Sequence, residues 1–104
     1  MIMADRRLEF QQILKKLLGS DQVYFQPPAT VEMTYPAIVY KRQVIDTKSA
    51  DDQLWGATIG YMVSVIDPNP DSKIPSKILE LPLSRFNKHY TVNNLNHDVF
   101  SVYY

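Results

Sequence analysis

Phe10, Ile13, Leu14, Leu17 and Leu18 recur at i, i+3, i+4, i+7 and i+8. That spacing lines one face of an amphipathic helix. Gly19 follows the last of them and supplies a C-terminal stop. Lys15 and Lys16 fall in the last turn, where cations suit the helix dipole. The pattern predicts a helix over about 4–18, its apolar stripe facing a core rather than a partner.

The period then changes to two. In "LWGATIGYMVSVI" the apolar residues Trp55, Ala57, Ile59, Tyr61, Val63 and Val65 alternate with Gly56, Thr58, Gly60, Met62 and Ser64. This is a strand with one core face and one smaller, partly polar face. Residues 54–66 would span roughly 40 Å, long for a small domain. Part of this strand is therefore expected to project as a hairpin with the strand before it. That preceding strand opens after Pro36 with Ala37-Ile38-Val39-Tyr40. Between the two lies the most polar stretch, 46–53, expected to be an exposed loop or hairpin tip.

Weaker signals fill in the rest. Val23 to Phe25 forms a short strand, broken by Pro27-Pro28. "DPNPDS" is a turn, with Ser72 as N-cap of a helix over about 72–81. Within it Ile74, Ile78 and Leu81 share a face, Pro75 sits in the first turn and Pro82 ends the helix. Strands follow near 88–92 and 98–104. The order α-β-β-β-α-β-β, with few crossover helices, predicts an α+β fold. Its sheet is mainly antiparallel, flanked by two helices, with a projecting β-hairpin around 43–56.

Composition narrows the class. The 104 residues fit a single domain, 1–104, and no cysteine is present, which removes disulfides, Cys-ligated zinc and Cys nucleophiles. Lysine plus arginine balances aspartate plus glutamate at 11 each, which argues against the concentrated basic surface of a phosphate-tracking protein. No run reaches the ~20 apolar residues of a membrane span. The opening "MIMADRRLEF" carries charges where a signal peptide needs its apolar segment. A soluble cytoplasmic product is the expectation.

Candidate chemistry is sparse. His97 beside Asp98, with Ser84 or Ser101, offers a formal triad. On a strand, however, neighbouring residues point to opposite faces, so Asp98 would not orient His97. The expectation is that Asn93, Asn94, Asn96 and Asp98 form a turn launching the last strand, with His97 a turn residue. Asp46, Asp51 and Asp52 lack the spacing of a calcium loop, and "DPNPD" lacks the distal glutamate. No glycine-rich phosphate loop exists among three scattered glycines. The run Val99 to Tyr104 is β-prone enough to be either central in the sheet or paired with another copy. Trp55, next to the polar stretch, is either core or a binding anchor.

"VYFQPP" at 23–28, "YPAIVY" at 35–40, "VIDPNPDSKIPSKILELP" at 65–82 and "NNLNHDVFSVYY" at 93–104 give the chain a further aspect. In these segments it resembles the tail-terminator or tail-completion (head–tail joining) proteins of tailed bacteriophages. The likeness runs in order over most of the chain. "LNHDVF-x-x-YY" and "D-x-N-P-D-S" are its most specific parts.

The resemblance implies a ring homo-oligomer, usually of six subunits, that caps the tail tube and meets the head-side connector. It implies no catalytic residue, cofactor or metal, and so no enzyme. The expected partners are further copies of the chain, the tail-tube protein and a head-side connector or stopper protein. DNA would pass through the ring lumen without sequence-specific contact, and no membrane is involved. The expected location is the tail–neck junction of the virion, after assembly in the bacterial host cytoplasm. The interface residues expected are Arg42, Lys48, Asp51, Asp52, Trp55, Tyr103 and Tyr104, on or near the projecting hairpin and the last strand. Alternatives are a head-side neck adaptor or stopper and a small monomeric module binding a host protein.

Overall fold

A computed structural model describes residues 2–50 and 53–104, with side chains over 6–43 and 59–104. Two helices and five strands run in the order α1 (Ile2–Leu18), β1 (Val23–Phe25), β2 (Ala37–Ala50), β3 (Gln53–Asp67), α2 (Ile74–Leu79), β4 (Ser84–Val92), β5 (Leu95–Tyr103). The fold is the expected α+β arrangement. The sheet has the order β1-β2-β3-β5-β4. β1 is parallel to β2, and every other pair is antiparallel.

Helix α1 ends as its sequence dictates. Gly19 has φ +82°, and its N–H donates to the Lys15 carbonyl at 2.8 Å. A residue with a Cβ resists that left-handed turn. The apolar stripe docks through Phe10 and Leu14, both fully buried, on the face of the sheet carrying Ile38, Tyr40, Tyr61, Val63 and Phe100. Ile74 and Ile78 of α2 join the same cluster, so both helices cover one face. The odd positions Ile59, Tyr61, Val63 and Val65 of β3 are all buried there, as the alternation predicts.

At the centre of the cluster Phe10 stacks on Tyr61 at 4.8 Å and meets Tyr40 edge-on at 5.6 Å. The Tyr40 hydroxyl lies in this core and needs a partner. It donates to Gln11 Oε1 at 2.7 Å and accepts from Arg7 Nη1 at 3.2 Å. The Arg7 guanidinium lies 4.3 Å over the Phe25 ring. One turn of α1 thus seals the end of the aromatic cluster with a charged plug.

Several boundaries differ from the sequence reading. Of the two readings of the polar stretch, loop or hairpin tip, the described residues follow the hairpin: β2 continues to Ala50 and β3 starts at Gln53, pairing Asp46 with Thr58, Thr47 with Ala57 and Lys48 with Gly56. Ladder hydrogen bonds satisfy the backbone whatever the side-chain polarity, so a polar stretch can continue a strand. Helix α2 ends at Leu79 rather than 81. Lys73 occupies its N-cap with no side-chain hydrogen bond, although Ser72 Oγ accepts from the Ile74 N–H at 3.3 Å.

Strand β4 begins at Ser84, ahead of the expected 88. A register shift between Phe86 and Lys88 interrupts its alternation. The last strand begins at Leu95, ahead of the expected 98. Only Asn93 and Asn94, with φ 53° and 62°, form the turn, a two-residue hairpin link closing on the Val92–Leu95 pair. His97 and Asp98 lie within β5, not in a turn.

Candidate functional site

The β5 register decides the fate of the histidines. His89 pairs with Asp98 and Tyr90 with His97 across the β4–β5 ladder. Side chains alternate, so Asp98 and His97 occupy opposite faces. His89 Nδ1 donates to Asp98 Oδ1 at 2.8 Å. His97 stacks on Tyr90 instead, with ring centroids 4.6 Å apart and planes 7° from parallel. Partial burial holds the His97 pKa below its ordinary 6.5, against the opposing pull of the Asp98 carboxylate. The carboxylate-oriented imidazole is therefore His89, not His97.

Neither candidate serine completes that pair. Ser84 Oγ donates to the Leu81 and Leu79 carbonyls at 2.8 and 3.2 Å and so closes the end of α2. Ser101 Oγ accepts from Asn87 Nδ2 at 2.8 Å and lies on the face opposite Asp98. In "DPNPD" the carboxylate of Asp67 accepts from the Asn69 N–H, and Asn69 Oδ1 accepts from the Asp71 N–H, both at 2.9 Å. These side chains build consecutive turns. Among the described residues no group of three or more His, Asp or Glu is placed to hold a metal ion.

Contact surfaces are the stronger feature. Beyond Arg42 and Gly60 the β2–β3 hairpin outruns the rest of the sheet. β1 pairs with β2 only over Ile38–Tyr40. β5 reaches β3 only as far as Gly60, with its last backbone bonds made between Tyr104 and Ile59. The outer part of the hairpin is thus a two-stranded arm, and the Cα trace measures 51 × 25 × 22 Å. At the opposite edge of the sheet, β4 has β5 on one side and, among the described residues, no strand on the other. Every residue from Arg85 to Val92 on it is exposed. Leu83, Phe86, Tyr90 and Val92 present apolar surface there.

The residues expected at an interface fall in different places. Arg42 is exposed where the arm leaves the sheet. Lys48 and Trp55 lie on the arm's two strands, and their side chains are outside the described residues, as are Asp51 and Asp52 entirely. Tyr103 is exposed and borders a groove of about 410 Å³ with Arg6, Ile13, Leu81, Pro82 and Leu83. Tyr104 is half-buried instead. Its ring stacks on Phe10 at 5.2 Å beneath the Arg6 guanidinium, and its hydroxyl donates to Glu9 Oε2 at 3.1 Å. Partial burial and the Glu9 carboxylate raise its pKa above the ordinary 10.0.

The terminal run is central in the sheet, between β3 and β4, so β4 and not β5 forms this edge of the sheet. Sequence reasoning missed that edge because strand order is a long-range property. The exposed Phe86 and Tyr90 in "SRFNKHYTV" were its only local trace. Comparison with protein-family models, with curated proteins and with solved structures finds no match to this chain.

Proposed function

We propose that this chain is a structural subunit of the tailed-phage neck, of the tail-terminator type. Copies of it form a closed ring, of six subunits on the sequence resemblance, that caps the tail tube and meets the head-side connector or stopper protein. Its work is assembly and not catalysis. The virion's tail–neck junction is its place, and the bacterial cytoplasm is where it is built.

The observation that carries this reading is the two-stranded arm. A hairpin without a third strand or a helix over it is marginal by itself. An arm that outruns its own sheet gains stability when a second chain lies against it. The exposed β4 edge at the other side of the sheet supplies a different surface, and two unlike surfaces on one subunit suit head-to-tail rings. The sequence resemblance supports the same reading independently.

Light scattering after size exclusion, with and without the cognate tail-tube protein, tests it. A discrete ring, alone or on the tube protein, is the expected result. A monomer that ignores the tube but binds the connector would move the chain to the head side of the neck. A monomer binding neither would overturn the assembly reading in favour of a host-protein binding module.

A further inference from the structure

The link from α2 to β4 carries the most exposed large apolar side chain among the described residues, Leu83, at 71%. Its backbone is held at φ 58°, the left-handed region that a residue with a Cβ enters at a cost. Two bonds fix the turn around it. Ser84 Oγ donates to the Leu81 carbonyl at 2.8 Å, and the Tyr103 N–H donates to the Leu83 carbonyl at 3.2 Å. Glycine would relieve both the strain and the apolar exposure, so folding alone does not account for a leucine here.

Leu83 forms one wall of the groove of about 410 Å³ at the end of β5. Ile13 of α1, Leu81, Pro82 and Tyr103 share in its apolar lining. Among the described residues Arg6 is the only charged member of that lining. Its guanidinium carbon sits 4.8 Å over the Tyr104 ring, and its Nε is buried with no hydrogen-bond partner among the described residues. Glu9, one turn along the same helix, makes no ion pair with it, and its carboxylate accepts from the Tyr104 hydroxyl at 3.1 Å instead. A buried cationic N–H without an acceptor is costly, and a carboxylate is the group that satisfies it best.

We propose that this groove binds an apolar side chain and a neighbouring carboxylate of a partner polypeptide, the apolar group against Leu83 and Tyr103 and the carboxylate on Arg6. Charge selects the acid: one partly desolvated guanidinium in an otherwise apolar lining complements one anion. A phosphate polymer would be met by several cations. Size selects a side chain rather than a large cofactor, since the volume lies near the lower end of the range for ligand sites. Exposure of Leu83 and Tyr103 leaves the groove open along one side, which admits a continuing polypeptide. The bonds that fix Leu83 also hold the groove in shape before anything binds, which spares the cost of ordering it. The lining comes from one copy of the chain, so the proposal holds whether or not a ring forms.

Random heptapeptides displayed on yeast and sorted against the full chain test it. The expected enrichment is a large apolar residue with Asp or Glu within two positions of it. A synthetic copy of the best binder should lose at least about tenfold in affinity when its acid is replaced by the amide, and that difference should vanish in Arg6→Gln. Leu83→Gly should weaken binding at least about fivefold while the melting temperature holds or rises, because glycine relieves the turn. Lys15→Gln, a charge lost elsewhere on α1, should alter affinity less than twofold. Circular dichroism melts confirm that the variants fold. No enrichment would overturn the proposal, as would enriched peptides without an acid or binding that Arg6→Gln leaves untouched. Displacement of the peptide by an equal concentration of decanoate would also overturn it, in favour of a fatty-acid ligand.

Discussion

His89 and Asp98 face each other across the β4–β5 ladder with Nδ1 and Oδ1 2.8 Å apart, while Asp98's chain neighbour His97 lies on the other face of the sheet. A carboxylate holding an imidazole usually invites a search for a nucleophile. Here both nearby serines are engaged elsewhere, so the pair is a cross-strand tie at an open edge. Exposed pairs of this kind contribute about 0–1 kcal/mol. A double-mutant cycle with His89→Gln and Asp98→Asn, followed by chemical denaturation, should give a coupling energy below about 1 kcal/mol. A coupling of several kcal/mol would show that the pair is part of something more strongly built.

His97 makes stability depend on pH in a defined direction. Its folded pKa lies below the ordinary 6.5, so the unfolded chain binds the proton more readily. The contribution is fully present above 6.5 and is lost as the pH falls from there through the lower folded value. Melting temperature should therefore drop on acidification across this window. His97→Gln should flatten that part of the profile relative to the parent. The fold and any assembly should survive the change.

Asn93 and Asn94 both hold positive φ, the requirement of a type I′ hairpin link. Asn94→Gly should be neutral or stabilise by up to about 1 kcal/mol, since glycine adopts this conformation freely. Asn94→Val should cost roughly 1–2 kcal/mol, because a β-branched residue resists the left-handed region. Equal melting temperatures for the two variants would contradict this assignment of the turn.

Phe10 is fully buried and contacts Tyr40, Tyr61 and Tyr104. Phe10→Ala should cost about 3–5 kcal/mol by opening a cavity at the centre of the cluster. Tyr40→Phe should cost less, about 1–2 kcal/mol, because it removes one hydroxyl while Arg7 and Gln11 keep their own bond at 3.0 Å. Urea denaturation of both variants ranks them, and the reverse order would place the weight of the core on the polar plug.

Much of this architecture is written locally. Helix α1 follows from the Phe10–Leu18 spacing and Gly19, and β3 from its odd-numbered apolar residues. What was not legible depends on partners distant in the chain. The polarity of Asp46, Thr47 and Lys48 left a loop and a hairpin tip equally open, and only pairing with 56–58 decides for strand. The start of β4 was hidden by the register shift at Asn87, which spoils the alternation over Ser84–Lys88. The exclusion of a His97–Asp98 pair rested on strand geometry and holds. Its counterpart, that Asp98 meets His89, required the register of a hairpin whose turn was set too long in the sequence reading.

The hydrogen bond from Tyr104 to Glu9 joins residues 95 apart in the chain. It belongs to an aromatic stack whose other members come from α1, β2 and β3, so the core closes between segments far apart in the sequence. Helix α1 has no complete surface to dock on until β5 has inserted between β3 and β4. Such non-local wiring places folding among the slower small domains, in milliseconds or longer. Until β5 joins the sheet, the Phe10–Leu14 stripe lacks the part of its surface that Phe100, Val102 and Tyr104 supply. In this protein the interval before the last strand arrives, more than any property of the finished fold, is when chaperone binding or misassociation between copies competes with the native state.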